Sequence, residues 1–365
     1  MKNLTKILLM TITAVISSCS HSSEEKLFMV SGYSADNKPD IMLYKLNPEG
    51  NTEVLSSFIC GDNPSFFTPG QNGLFYFVNE VGFFNAMSGG GITTLRHDHA
   101  TNTLVRVSSL NQRGGGPCHI TLSEDKEYLI TANYGSGSVS VVRLNDSGLP
   151  ERVTDTLFFG DKSHPHMSIY NSGKEIYYVS DLGLDKIYVF KLNAETGNLI
   201  SADPSFIKLP EGAGPRHMVI DKDCRNLYVI SELNSTISVF DIMPKNPVLK
   251  QTLSTLPEGY ADTSFCADIH ISSSGKFLYG SNRGHNSISI FLVSGNGRLT
   301  SVGEVSCGGA WPRNFTIDHS DRYMIVGNQR SGFLSLFTID SKGEPIQETG
   351  NSIIFNAPAC VRFIK

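Results

Sequence analysis

Charged side chains recur in this sequence beside short apolar runs that read as β-strands. His166 and Arg216 each follow a proline that opens such a run, whereas Glu232 and Arg283 follow the ends of two others. An imidazole and a carboxylate can transfer protons, and guanidinium groups can bind an anion and stabilise a developing oxyanion. Neither a nucleophile elbow nor a Ser-His-Asp motif is evident, so nothing in the sequence indicates a covalent route through a serine.

A repeat along the chain explains how these distant residues meet. Each copy has an anchor residue, a short apolar strand, a polar turn and a second strand, and most copies continue into a third β-rich run. Repeats of 40 to 50 residues with about four strands are typical of a β-propeller. Helical periodicity is scarce, which disfavours a solenoid. The copies are 46 to 53 residues apart, and their anchors are Pro64, Pro117, Pro165, Pro215, Cys266, Pro312 and Pro358.

The two ends of the chain complete each other. After the last anchor only one strand remains, at 360–364, whereas the N-terminal part offers three strands, near 27–32, 41–46 and 54–59, without an inner one. Pairing the ends makes one full blade and removes exposed strand edges. The sequence therefore predicts an all-β fold over 27–365, a seven-bladed β-propeller closed by pairing N- and C-terminal strands.

Residues at one end of the inner strands of a propeller converge on the mouth of a central channel. The residues after the anchors are small in some copies and charged in others, a mixture that a purely structural repeat does not need. Polar residues at strand ends are also often structural, so each residue alone has two interpretations. Besides the four residues above, the candidates for binding a substrate are His119, Asn133, Asp181, His217, Asn282, His285 and Arg313.

Several motifs together resemble the seven-bladed propeller lactonase family. They include residues 116–119 (GPCH), 132–139 (ANYGSGSV), 212–217 (GAGPRH), 281–285 (SNRGH) and 312–314 (PRN), and the resemblance covers nearly all of 27–365. That family includes one type of 6-phosphogluconolactonase and, more distantly, a fungal carboxymuconate-lactonizing enzyme. The resemblance implies hydrolysis of a small lactone without a cofactor. A propeller that binds a ligand or a protein without chemistry is the alternative.

The resemblance also implies site residues. The distant lactonizing enzymes use a His, a Glu and two Arg, which match His166, Glu232, Arg216 and Arg283 by motif. The arginines would stabilise the oxyanion and orient an anionic substrate. Glu232 or His166 would take a proton from water, and the other would protonate the leaving alkoxide. One departure is Asp268, which stands where many relatives are expected to have Glu.

The N-terminus reads as an export signal. Lys2 and Lys6 precede an apolar segment at 7–16, which is too short to span a membrane, and the segment ends in Ile-Ser-Ser-Cys19. This resembles a bacterial lipoprotein signal at 1–19 with Cys19 lipidated, followed by a tether at 20–26; an ordinary cleaved signal is the alternative. We therefore expect an exported lipoprotein, periplasmic or at the cell surface, held to the membrane by its lipid only.

Export bears on the substrate, because 6-phosphogluconolactone is made in the cytoplasm. A sugar-type or other anionic lactone outside the inner membrane suits the same residues. The formal net charge is −5, and −7 without Lys2 and Lys6, with no long basic run, which argues against a nucleic-acid partner.

The cysteines and the remaining histidines do not indicate a metal site. The six cysteines after Cys19 contain no CxxC pair, and most are expected to be buried free thiols. His97 and His99 form a His-x-His pair that could bind a metal, but the surrounding residues favour a solvated hairpin turn. No metal ion or other cofactor is predicted.

Overall fold

The computed structural model describes residues 25–364, with side chains throughout except at 346–351. Every regular element in that range is a β-strand. No helix among these residues is long and apolar enough to cross a lipid bilayer. The predicted signal at 1–19, the lipidation site Cys19 and tether residues 20–24 lie outside the described residues.

Seven antiparallel sheets of four strands each form the seven blades, which confirms the predicted fold class. We number the blades from the one that joins the two chain ends. Blade 1 comprises β1 (Lys26–Gly32), β2 (Ile41–Leu46), β3 (Thr52–Phe58) and β30 (Pro358–Ile364). Blade 2 comprises β4 (Phe66–Pro69), β5 (Leu74–Asn79), β8 (Gly91–Asp98) and β9 (Thr103–Asn111), with a small hairpin, β6 (Phe83–Phe84) and β7 (Met87–Ser88), inserted after β5.

The other five blades follow the chain without interruption, and each begins at its inner strand. Blade 3 comprises β10 (Pro117–Leu122), β11 (Tyr128–Asn133), β12 (Ser138–Leu144) and β13 (Pro150–Phe158). Blade 4 comprises β14 (Pro165–Asn171), β15 (Ile176–Asp181), β16 (Lys186–Leu192) and β17 (Leu199–Lys208). Blade 5 comprises β18 (Pro215–Ile220), β19 (Asn226–Ser231), β20 (Thr236–Asp241) and β21 (Val248–Ser254). Blade 6 comprises β22 (Phe265–Ile271), β23 (Phe277–Arg283), β24 (Ser287–Val293) and β25 (Leu299–Ser306), and blade 7 comprises β26 (Pro312–Ile317), β27 (Tyr323–Asn328), β28 (Phe333–Ile339) and β29 (Pro345–Ile354).

Buried tyrosines in the second strands lock neighbouring blades together. The apolar faces of adjacent sheets pack on each other, and a tyrosine hydroxyl near the start of the second strand reaches a turn of the next blade around the propeller. Burial of the ring is thereby combined with a satisfied hydroxyl, as buried tyrosines require. The hydroxyl donates to the carbonyl oxygen of Gly148 from Tyr76 (2.7 Å), Ala194 from Tyr128 (2.8 Å), Gly297 from Tyr228 (3.0 Å), Gly343 from Tyr279 (2.9 Å) and Pro48 from Tyr323 (2.9 Å).

The closure predicted from the chain ends is confirmed. Strand β1 pairs with β2 on one side and with β30 on the other, and Leu27 lies opposite Ile364. Strand β1 starts at Lys26, one residue before the predicted boundary. Since β30 starts at its anchor and runs away from the channel mouth, the antiparallel β1 enters from the opposite face. There Lys26 Nζ lies 2.9 Å from Asp318 Oδ2 of blade 7.

Deleting residues 360–365 is expected to destabilise the whole propeller. The deletion removes most of β30, including the buried Cys360 and Val361, and exposes the inner edge of β1. Losing several packed side chains costs more than about 5 kcal/mol, which corresponds to a fall of about 7 °C in Tm for a chain of this length. Thermal unfolding should be compared with a control lacking only Lys365. Equal melting of the two proteins would contradict closure through β30.

Two smaller expectations have different outcomes. All six cysteines among the described residues are free, and every one except the half-buried Cys224 is buried, as expected. The solvated turn at His97 is wrong: the residue lies in β8 and is only 2% exposed. The strand is longer than the sequence suggested, and His97 turns inward while His99 stacks edge-on at 4.4 Å from it.

Candidate active site

β-Bulges at the entrances of the inner strands re-aim the residues after the anchors. In blades 3, 4, 5 and 7 the pairing register skips one residue there, and in blade 6 it skips two. A bulge places two residues opposite one and bends the strand, which is a common way to redirect a side chain beside an active site. We call the redirected residues the upper tier of the channel: Cys118, His166, Arg216, Ala267 and Arg313.

One carboxylate at the mouth bridges two arginines from different strands. Glu232, directly after β19, places Oε2 2.7 Å from an Nη atom of Arg283, the last residue of β23, and 3.0 Å from Nε of Arg216. The Glu232 side chain keeps 19% exposure, whereas the two arginines keep only 2% and 6%. Three of the four proposed catalytic residues are therefore in direct contact.

Arg216 is the most deeply buried member of this group. Its Nη1 donates to the carbonyl oxygen of Ala267 at 2.5 Å. Its Nε lies close to Glu232, but the N–H is not aligned for a hydrogen bond and finds no other acceptor among the described residues. Burial, followed by the charge of Arg313, lowers the pKa of Arg216. The guanidinium is thus partly unsatisfied and can strengthen a contact to an incoming oxygen.

Arg283 is held in place from three sides. Its Nη2 donates to the carbonyl oxygen of Cys266 at 2.9 Å, and its guanidinium lies 5.4 Å from the ring centre of Trp311. Arg330 lies 3.3 Å from the centre of the same ring. Burial and the charge of Arg216 lower the pKa of Arg283 to about 10, so it still carries its positive charge at neutral pH.

His166 lies beside the arginines in the upper tier and is 5% exposed. Its Nδ1 is buried without a hydrogen-bond partner among the described residues. Its ring centre lies 5.2 Å from that of His217 and 5.8 Å from that of Tyr134. Burial, followed by the charge of Arg216, lowers the pKa of His166 well below its ordinary value. The imidazole is therefore neutral at pH 7 and can accept a proton.

Arg313 supplies a third cation, from the inner strand of blade 7. No carboxylate in the described part of the chain forms an ion pair with it, and its guanidinium lies 5.4 Å from the ring centre of Tyr33. The Tyr33 hydroxyl donates to Glu80 Oε2 at 2.9 Å. Since Arg313 also lowers the pKa of Arg216 and His166, the three arginines and His166 share one electrostatic environment.

The residues after the bulges form a second tier, deeper in the channel. His217 Nδ1 lies 2.6 Å from Asp268 Oδ1, and His270 Nε2 lies 2.9 Å from Asp268 Oδ2. Asn314 Nδ2 also donates to Oδ2, at 2.5 Å. Burial and the charge of Arg216 lower the pKa of His217 to about 4. His119 belongs to this tier, with its ring centre 6.0 Å from that of His217.

Three proposed substrate-binding residues do not reach the mouth. Asn133, Asp181 and Asn282 lie directly opposite the anchors and are completely buried. Their polar atoms bond to neighbouring strands and loops: Asn133 Nδ2 donates to Ser138 and Ser140, Asp181 Oδ1 accepts from the backbone of His164, Gly183 and Leu184, and Asn282 bonds to Thr255 and Ser287.

The reason is the two-residue period of a strand. Side chains of successive strand residues point to opposite sides, so the residue opposite an anchor turns into the blade and the next one turns to the mouth. Glu232 and Arg283 each stand one position beyond such a residue, as does Tyr134. His285 lies further out, where Nδ1 contacts Ser287 Oγ at 2.7 Å and the ring stacks edge-on against Tyr260 at 4.6 Å.

Two aromatic residues at the mouth were missed by the sequence analysis. Trp311 directly precedes the anchor of blade 7 and is the only tryptophan of the chain. It has a φ of 67°, a left-handed conformation that is costly for a bulky residue and concentrates at functional sites. Tyr33 follows β1 just as Glu80 follows β5, so it occupies the corresponding strand exit in blade 1.

The described residues contain no group of three or more His, Cys, Asp or Glu side chains placed to hold a metal ion. The positive charges of the three arginines also make the mouth unsuited to a bare cation. The arrangement instead offers guanidinium groups to oxygen anions, with a neutral imidazole and a carboxylate beside them.

Comparison with known proteins agrees with the fold. A family model described as lactonase, 7-bladed beta-propeller, matches residues 27–363. The 6-phosphogluconolactonase of Bacillus subtilis (strain 168) is 28% identical over 313 residues, covering 83% of this chain and 87% of that protein. The periplasmic gluconolactonase of Pseudomonas aeruginosa superposes with a TM-score of 0.87 at 26% identity, covering 94% of this chain and 99% of that one. A putative 6-phosphogluconolactonase from Bacteroides fragilis NCTC 9343 gives a TM-score of 0.86 at 26% identity, covering 95% and 99%. The chain belongs to the seven-bladed β-propeller lactonase family.

Proposed function

We propose that this protein hydrolyses a sugar-type or other anionic lactone at the channel mouth. The observation that carries the proposal is the bridge from Glu232 to Arg216 and Arg283, beside the neutral His166. Lactone opening by water develops negative charge on the carbonyl oxygen. Positive groups fixed in a poorly solvated site stabilise such charge far better than water does.

Each residue has a role that follows from its surroundings. Arg216 and Arg283 are fixed by backbone carbonyls and by Glu232, so they need little reorganisation to receive the oxyanion. His166 has no competing hydrogen bond at Nδ1, and we assign it the proton from the attacking water and its return to the leaving alkoxide. Glu232 Oε2 is engaged by two cations, so its part is to hold them in place.

Arg313 favours a substrate with its own negative charge. Counting the charged groups just described, the mouth holds Arg216, Arg283 and Arg313 against Glu232 and Glu80. The cation left over is Arg313, which pairs with no described carboxylate. A carboxylate or phosphate can be bound by such a guanidinium through two parallel hydrogen bonds.

The names of the relatives support a carbohydrate lactone and a place outside the cytoplasm. One relative is named a 6-phosphogluconolactonase and another a periplasmic gluconolactonase. Because residues 1–19 read as an export signal, we favour an exported enzyme of carbohydrate metabolism that acts on lactones reaching the periplasm or the cell surface.

A panel of lactones tests the proposal. Hydrolysis of δ-gluconolactone, 6-phosphogluconolactone and a muconate lactone should be followed by acid release and corrected for spontaneous opening. We expect saturable catalysis of at least one member, with the charged lactones preferred over δ-gluconolactone. An Arg313→Gln variant should lose that preference, mainly through a higher KM for the charged lactones, because Arg313 is assigned to binding the negative charge of the substrate.

The alternative is a propeller that binds a ligand at the same mouth without chemistry. The fully buried Arg216 and the unpartnered His166 nitrogen favour an enzyme, since binding alone does not require a proton acceptor beside the cations. No catalysis across the panel, together with tight binding of a hydroxy acid or lactone, would establish the alternative.

Cys19→Ala is expected to move the exported protein from the membrane fraction to the soluble fraction. A lipid on Cys19 would be the only membrane contact, and stable anchoring requires more than one acyl chain, as on a bacterial lipoprotein. Because β1 enters on the face opposite the mouth, the anchored propeller would present its mouth away from the bilayer. Fractionation of cells that express either form measures the change, with Cys224→Ala as the matched control. Membrane association of both variants would contradict the lipid anchor.

A further inference from the structure

The channel has a second opening on the face opposite the mouth. A cavity of about 300 Å³ lies there, and a smaller one of about 220 Å³ shares four lining residues with it. The walls come from the inner strands, from the second-tier residues onward in the direction away from the mouth. We call the two together the lower cavity; the shared residues are Met167, Ile169, Tyr170 and Arg362.

The walls of the lower cavity are mostly apolar. Phe66 and Met218 complete the surface formed by the shared methionine, isoleucine and tyrosine. Small-molecule sites in proteins are concavities of about 300 to 1000 Å³ with apolar walls and a few well-placed polar groups. The larger part of the lower cavity reaches this size, so the polar groups decide what it can hold.

Arg362 is a cation without a carboxylate partner. The side chain is half-buried, its guanidinium lies 4.9 Å from the ring centre of Phe66, and no described Asp or Glu forms an ion pair with it. Asp268 also lines the cavity, but its oxygens already accept bonds from three side chains and two backbone amides. Asp268 is therefore satisfied without Arg362, whose donors remain available to an anion.

One imidazole nitrogen provides an independent sign of a missing partner. His119 Nε2 is buried without a hydrogen-bond partner among the described residues, and its ring packs on Phe66 at 4.3 Å. His217 donates from Nδ1 to Asp268, which leaves Nε2 as an acceptor. Buried polar atoms normally find a partner in the protein or in an ordered molecule.

We propose that the lower cavity is a second binding site, for a small organic acid with a compact apolar body. Its carboxylate lies against Arg362, and its body fills the space between Phe66, Met167 and Ile169. The proposal does not depend on lactone hydrolysis, because none of these side chains belongs to the upper tier. The two sites are close, however, since the rings of His217 and His166 are 5.2 Å apart.

Benzoate is a suitable probe, with the neutral benzyl alcohol as its matched control. The Tm of the whole protein should rise by about 2 °C when benzoate is at ten times its Kd. The neutral analogue should give no shift at the same concentration. Arg362→Gln should abolish the shift and Arg362→Lys should keep part of it, whereas Arg313→Gln, which alters the mouth, should keep all of it.

The fluorescence of Trp311 separates the two sites, because this only tryptophan contacts Arg283 at the mouth. Titration calorimetry gives the Kd independently of stability, so an Arg362→Gln variant with altered melting still tests the site. Benzoate binding that survives Arg362→Gln, or that is lost in Arg313→Gln with quenching of Trp311, would place the acid at the mouth and overturn the proposal. Absence of any benzoate binding to the wild type would overturn it equally.

Discussion

Arg283→Ala and Glu232→Gln are each expected to lower lactone turnover by about 100- to 1000-fold. Arg283 contributes a positive charge that matters most when the carbonyl oxygen becomes an anion, so kcat should fall more than KM rises. Glu232→Gln keeps an oxygen near both guanidinium groups but removes the charge that holds them together. Initial rates over a range of lactone concentrations measure both effects.

Arg330→Gln is the matched control for these two variants. Arg330 is exposed and lies on the ring of Trp311, as Arg283 does, but it forms no ion pair with Glu232. It should keep nearly full activity. Glu232→Gln leaves two poorly solvated cations uncompensated, which costs about 3 kcal/mol or more, so folding must be confirmed by Trp311 fluorescence. Undiminished kcat in folded Arg283→Ala and Glu232→Gln would remove this site.

The sequence was sufficient to predict the propeller because two independent signals in it indicate this fold. The anchors mark every inner strand, and the lone strand after Pro358 requires a partner at the N-terminus. Neither signal depends on the detailed packing. Even the meeting of Glu232 and Arg283 follows, since strand exits in neighbouring blades lie at the same end of the channel.

Two proposed binding residues lie elsewhere than expected because of shifts of one residue. Asn133 and Asn282 stand beside mouth residues in the sequence, but alternation along the strand turns them into the blade, where Asn133 bonds to strand β12 and Asn282 bonds to the loop residue Thr255. The bulges work in the opposite direction, because they bring consecutive residues such as Arg216 and His217 into the channel. A bulge depends on local backbone geometry that no pattern of apolar residues reveals.

The contacts around Asp268 were equally hidden from sequence. Its three side-chain partners come from blades 5, 6 and 7, and nothing in the separation of His217, His270 and Asn314 along the chain indicates that they share one carboxylate. Burial decides the protonation of this group: the neighbouring His217 is neutral, although it lies beside a carboxylate, because desolvation and Arg216 outweigh the attraction.

Acid is therefore expected to unfold this protein at a higher pH than carboxylate titration alone would require. The folded pKa of His217 is about 4, against about 6.5 when unfolded, and those of His119 and His166 are lowered in the same direction. Between pH 6.5 and pH 4 the unfolded chain binds more protons than the folded one. The free energy of unfolding must therefore fall as the pH drops through this range. Each such histidine contributes a slope of about 1.4 kcal/mol per pH unit, and three acting together give about 4 kcal/mol per unit near pH 5.

Urea unfolding at several pH values between 7 and 4.5 measures that slope directly. His166→Asn should reduce it by about 1.4 kcal/mol per pH unit, because Nδ1 of His166 has no hydrogen bond to lose and the change chiefly removes one titrating group. His319→Asn is the matched control, since His319 is exposed and should leave the slope unchanged. Burial raises the pKa of Asp268, but His270 and His217 lower it by more. Protonation of Asp268 therefore reduces the free energy of unfolding only below about pH 4. A free energy of unfolding that stays constant from pH 6.5 to 5 would show that the channel histidines are protonated in the folded protein, and it would exclude the neutral His166 on which the proposed proton transfer depends.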